Sequence, residues 1–199
     1  PKDEDERDLR LLAENIHVPV FITGAFQDEQ TGPYWTELLS RMTNAPLVRV
    51  RMWNGRHPDG YSPMNIMSWY EFMQLYVNEE VPNLPELVRV GAGPEFAKNF
   101  GLEDAELSTN RLFEMFGDDY EAAREYYEAE DKVEVVVESG TGGNEPGEPG
   151  GSAVLSFPSW PLGPVQVEEL FLGSDGALQA PAPADGSELT FKHDPEASQ

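Results

Sequence analysis

Two residues in this chain have the types and the spacing to work as an acid–base pair: Asp28, in V-P-V-F-I-T-G-A-F-Q-D-E, and His57, in L-V-R-V-R-M-W-N-G-R-H-P-D-G-Y. Histidine changes charge near neutral pH, so it can take a proton from a hydroxyl and return it to a leaving group. A buried carboxylate beside it fixes the imidazole tautomer and stabilises the imidazolium that forms. The chain has three histidines. His17 stands ahead of a strand and reads as structural or exposed. His193, in K-H-D-P near the C-terminus, reads as having no catalytic role. Glu29 is the neighbour that competes with Asp28, and Asp59 follows closely on His57. Asp28 ranks first because it ends the F-Q-D stretch after a strand pattern; Asp59, in P-D-G, reads as a turn former.

The elements around the pair have to hold it together. Residues 18–23 are a continuous apolar run that suits a buried parallel strand. Residues 24–33, with two glycines and a proline, read as a loop. Residues 34–43 carry a helix pattern, with Tyr34, Leu38, Leu39 and Met42 on one face, and Asn44-Ala45-Pro46 breaks it. Residues 47–53 are the next strand, alternating Leu47/Arg49/Arg51 against Val48/Val50/Met52, and 54–63 are a second loop. Residues 64–80 read as an amphipathic helix stopped by Pro82 and Pro85. Strand, loop, helix, strand, loop, helix is a βαβα unit and implies a parallel sheet. In open α/β sheets, sites gather beyond the carboxyl ends of strands, so Asp28 and His57 are expected to be neighbours there.

Composition narrows the function. Acidic residues outnumber basic ones 37 to 13, a net charge of −24, which excludes nonspecific nucleic-acid binding and disfavours anionic membranes. The acidity itself reads as solubility or salt tolerance. The absence of cysteine removes disulfides, thiol catalysis and zinc–thiolate sites without deciding the compartment. There is no apolar run of transmembrane length, and the opening Pro1-Lys2-Asp3-Glu4 is too charged for a signal peptide. Because the first residue is Pro1, the chain is expected to be a fragment or a processed product. No cofactor is called for.

Beyond the second loop the pattern loosens. Residues 87–90 read as a short strand, 110–129 as a helix, and 133–138 (V-E-V-V-V-E) as a strand. Residues 139–152 form a Gly/Pro-rich loop. Short runs at 153–157, 167–172 and 188–192, with turn signals at 174–176 and 184–186, give the rest an all-β texture. The expected organisation is an α/β part over 1–130, with its core at 15–82 and a helical extension at 86–130, followed by the start of a β-sandwich over 131–199.

At these residues the chain resembles the CocE/NonD hydrolases, the group of cocaine esterase and the X-Pro dipeptidyl-peptidases. V-P-V-F-I-T-G-A-F-Q-D-E resembles that family's strand and loop bearing the triad acid. V-R-M-W-N-G-R-H resembles the strand and loop bearing its histidine, and the separation of 29 residues fits. W-Y-E-F-M-Q-L-Y-V-N-E-E-V-P resembles the following helix. F-P-S-W-P-L…E-L-F-L-G-S-D-G-A-L…H-D-P resembles the opening of its jelly-roll domain. The resemblance covers most of residues 15–195. It implies the end of an α/β-hydrolase sheet followed by an incomplete, galactose-binding-like jelly roll, with Asp28 orienting and His57 acting as general base and acid. The α/β-hydrolase order is Ser…Asp/Glu…His. No serine here lies in G-x-S-x-G: Ser62 is in G-Y-S-P-M, Ser152 in G-G-S-A-V and Ser174 in L-G-S-D-G. The nucleophile and the oxyanion donors are therefore expected upstream of this chain, and the chain alone is expected to be inactive.

The leading expectation is a serine hydrolase that cleaves a small-molecule ester or a peptide, with esterase favoured because nothing visible would recognise a peptide amino terminus. The competing expectation is a non-catalytic remnant or subunit that binds a partner or a glycan through its β-rich end, with Trp160 as a possible ligand platform. The acyl group, the oligomeric state and the compartment stay open.

Overall fold

The apolar run after His17 and the alternating run after Pro46 form β1 (Val20–Ala25) and β2 (Val48–Trp53) in a computed structural model of the chain. The structure describes residues 9–103, 105–137, 150–163, 166, 168–173, 177–180 and 190. β1 and β2 pair in parallel, Val20 opposite Val48 and Ala25 opposite Trp53, so the two strands end level. β3 (Val133–Val137) joins β2 in parallel, and β4 (Ala153–Phe157) joins β3 antiparallel. The order is β1-β2-β3-β4.

Parallel neighbours need a crossover. The first is a 3₁₀ helix, Pro33–Arg41. The second runs through a 3₁₀ turn at His57–Tyr61, then α1 (Pro63–Met73), a π-helical turn at Gln74–Asn78, α2 (Glu86–Gly91), α3 (Gly93–Phe100), α4 (Arg111–Phe116) and α5 (Tyr120–Ala129). Alternation along β2 then sorts the core. Val50 and Met52 pack with Leu39 of the 3₁₀ helix and Val133 of β3. On the other face Leu47 packs with Phe72, Leu75, Leu112, Ala123 and Tyr127 from the helices. The fold is mixed α/β, built on a mostly parallel four-stranded sheet.

Several expectations change in physical detail. Residues 34–43 form a 3₁₀ rather than an α-helix; the Thr36 hydroxyl donates to Pro33 O and the Ser40 hydroxyl to Glu37 O, bonds that draw each turn back onto the residue three before. Residues 87–90 are not a strand but lie in α2. Four apolar-rich residues do not fix a period, whereas Pro85 before the helix, Glu86 in its first turn and Arg89 in its last favour it. The 110–129 helix is two helices, because Asp119 caps a new start by accepting from the Ala122 N–H at 3.1 Å.

The sheet also runs across the 130/131 boundary drawn from the sequence. β3 and β4 extend the β1–β2 sheet, and the chain divides into Pro1–Gly163 and Pro164–Gln199. A β-branched strand reads the same whether it opens a sandwich or extends a parallel sheet, which is why periodicity did not place it. In the second unit the described strands are β5 (Phe171–Leu172) and β6 (Leu178–Gln179), an antiparallel pair. Most of the 139–152 loop and of the 188–192 run, both turn signals and His193 lie outside the described residues. Trp160 packs against the Leu39–Val50–Met52–Val133 cluster, so it serves that core rather than standing free as a platform.

Candidate active site

The level ends of β1 and β2 put the two loops side by side. Pairing continues one residue past β1, where Phe26 N–H donates to Trp53 O at 2.8 Å. Two residues later Asp28 folds back on its own loop: its Oδ1 accepts from the Gln30 N–H at 2.7 Å and the Thr31 N–H at 2.9 Å. This side-chain turn is one that aspartate favours. It leaves Oδ2 to meet His57 Nδ1 at 2.8 Å. The Asp28 side chain is 8% exposed and that of His57 is 46% exposed.

The electrostatics follow from those bonds. Burial works against the Asp28 carboxylate, but the Thr31 N–H, the His57 ring and the Gln30 N–H outweigh it and hold the carboxyl well below its usual range. An ionised carboxylate only accepts hydrogen bonds, so the Asp28 contact assigns the proton to Nδ1. Nε2 is then the basic nitrogen, and it has no hydrogen-bond partner among the described residues.

Glu29 takes a different role from Asp28. Its Oε2 accepts from the backbone N–H of His57 at 3.1 Å. Its own backbone N–H and that of His57 hold this carboxyl below its usual range. One loop therefore grips the ring of His57 with one acid and its main chain with the next. Asp59 is a turn former, as its P-D-G setting suggests: its Oδ2 accepts from the Arg56 N–H at 2.8 Å, and it is buried. Ser62 is fully buried and receives the Asn65 Nδ2 at 3.4 Å, so its hydroxyl is not presented beside His57. Ser174 lies outside the described residues.

A cleft of about 540 Å³ runs along β1 to the pair, with Trp35, Trp53, Tyr61 and Trp69 among its walls. Two glycines shape it. A Cβ on Gly24 would lie 2.3 Å from Trp35 Cε2, so only glycine lets that indole lie on the strand. A Cβ on Gly55 would lie 2.6 Å from Asp59 Oδ2 and 2.8 Å from Trp53 Cδ1. Sequence pattern alone does not single out these aromatics as cleft walls, nor Asn65 and Arg51 as the braces of the histidine turn. One signal was available: an arginine inside an otherwise apolar strand needs a buried partner.

Among the described residues no group of three or more His, Asp or Glu side chains could hold a metal ion, and no helix is long and apolar enough to cross a membrane. No protein-family model matches the chain, and no curated protein or solved structure matches it at a significant level.

Proposed function

We propose that Asp28 and His57 are the acid and the base of a Ser-His-Asp triad, in a serine hydrolase of the CocE/NonD type that cleaves an ester or an amide. One observation carries the reading: a carboxylate 2.8 Å from histidine Nδ1, at the carboxyl ends of adjacent parallel strands, with Nε2 unengaged beside a cleft. The cleft volume falls in the range of small-molecule sites, roughly 300–1,000 Å³. The sheet is read as the end of an α/β-hydrolase sheet and the β-rich end as the start of a jelly roll. The serine is supplied from outside the described residues.

In this mechanism Nε2 takes the serine hydroxyl proton as Oγ bonds to the acyl carbon. The resulting oxyanion collapses and expels the alcohol or amine, which leaves with the proton held on Nε2. Water then repeats the cycle on the acyl-enzyme, and the serine regains its proton from Nε2. Asp28 stays ionised throughout, which its depressed carboxyl favours.

The test is p-nitrophenyl ester hydrolysis by the protein purified at its natural length, with His57→Ala beside it. Loss of about 10³-fold or more is expected for removal of a triad member. Hydrolysis retained within about tenfold would contradict the assignment.

A further inference from the structure

We propose that Asn65 is a positioning residue for His57, holding the turn that carries the histidine at a fixed height above the sheet. The inference rests on the acid–base reading of Asp28 and His57. Asn65, in the first turns of α1, is 1% exposed. Its Oδ1 accepts from Arg51 Nε at 2.9 Å, and its Nδ2 donates to the carbonyl of Asp59 at 2.9 Å. Asp59 lies inside the 3₁₀ turn that starts at His57. Arg51, on β2, is anchored in turn by Glu134 of β3, NH1 to Oε2 at 2.5 Å. A chain of polar contacts thus runs from two strands of the sheet, through one amide, to the main chain of the histidine turn.

The chemistry of that amide is specific. Arg51 Nε–H needs an acceptor, and the Asp59 carbonyl, which already accepts from the Ser62 N–H at 3.1 Å, takes a second donor, both from one short side chain. Aspartate keeps the acceptor but sets a carboxylate oxygen against a carbonyl. Alanine leaves the Arg51 Nε–H without its acceptor and the Asp59 carbonyl with the Ser62 N–H alone, and glutamine is one methylene too long for the same two contacts. Glu29 fixes the His57 backbone from the β1 side, so the turn is held from both directions. The Asp28–His57 bond needs this, because histidine is 46% exposed and its own packing does not restrain it.

Solvent exchange of the His57 ring Nδ1–H, read by NMR, tests the role without requiring turnover. In Asn65→Asp the exchange is expected to rise by about tenfold or more as the turn loosens and the Asp28 bond opens. Leu112→Ala is the control: Leu112 is fully buried in the Leu75–Tyr127 cluster, and its loss should lower stability while leaving the ring proton unchanged. If Asn65→Asp does not fold, Arg51→Lys, which removes the Nε–H donor, should give the same rise. Exchange unchanged in the variant measured, or matched by Leu112→Ala, would overturn the proposal. If the ring proton is unprotected in the native chain and indifferent to Asp28→Asn, it is the acid–base reading that fails.

Discussion

Two charged clusters, one beneath the helices and one past the carboxyl ends of β1 and β2, differ in one respect that matters. At the first, Arg49 NH1 donates to Tyr127 O at 2.6 Å, with its guanidinium 3.9 Å above the Tyr127 ring, and pairs with Glu130 at 3.3 Å. Arg111 closes the set, bonding Glu71 through Nε at 2.8 Å and NH2 at 2.7 Å and also pairing with Glu130. Each of these side chains is partnered, and the space between them is only about 20 Å³. At the second cluster, Asp28 is committed to His57 and to two backbone N–H groups, while His57 keeps Nε2 unengaged beside a 540 Å³ cleft. A group of titratable residues does not by itself mark a site. What sets the second cluster apart, and what the proposed function rests on, is an atom of catalytic type oriented by its neighbours but not consumed by them.

The largest effect expected from breaking the comparison is at the second cluster. Asp28→Asn should lower hydrolysis by about 10³–10⁴-fold, because the amide donates to Nδ1 and imposes the wrong tautomer. Far-UV circular dichroism of the same variant should stay native.

Next is Arg49→Ala at the first cluster. It strands the Tyr127 carbonyl and leaves Glu130 with Arg111 as its one guanidinium partner, so chemical denaturation should show a loss of about 2–4 kcal/mol. The His57 ring resonances should not move. A catalytic defect larger than the folding defect would erase the distinction between the clusters.

Gly24→Ala ranks third. The new Cβ meets the Trp35 ring, and overpacking of this kind costs about 1–3 kcal/mol. Trp35 fluorescence should shift as the cleft wall moves.

The smallest effect separates the clusters by pH. Asp28 is held below its usual range, so its contribution to stability is present above the unfolded value and is lost as pH falls through the acid range. Glu71 is the reverse: burial raises its carboxyl despite the Arg111 hydrogen bonds, so its contribution is present at low pH and is lost as pH rises. Urea melts against pH should show a flatter acid arm in Asp28→Asn and a flatter rise-side decline in Glu71→Gln.

Periodicity made the parallel β1–β2 pair and its two loops legible, because a continuous apolar run and an alternating one each carry a period. From that pair followed the meeting of Asp28 with His57, since parallel strands of matched length end at the same level. Glu29's hold on the histidine backbone was not legible: a glutamate beside an aspartate reads alike in either role until loop geometry aims each one. Asn65 was hidden for a different reason. Its partners, Arg51 and the Asp59 carbonyl, are joined to it only once α1 docks on the sheet. The continuation of the sheet into β3 and β4 depended on pairing across a long helical excursion, which local pattern does not encode.

The central claim is that Asp28 sets the protonation of His57. Long-range ¹H–¹⁵N correlation spectra, recorded above the imidazole titration, report directly which ring nitrogen carries the proton. The expected result is a proton on Nδ1 with Nε2 bare, reversing in Asp28→Asn. A proton on Nε2 in the native chain, unchanged by that substitution, would contradict the account.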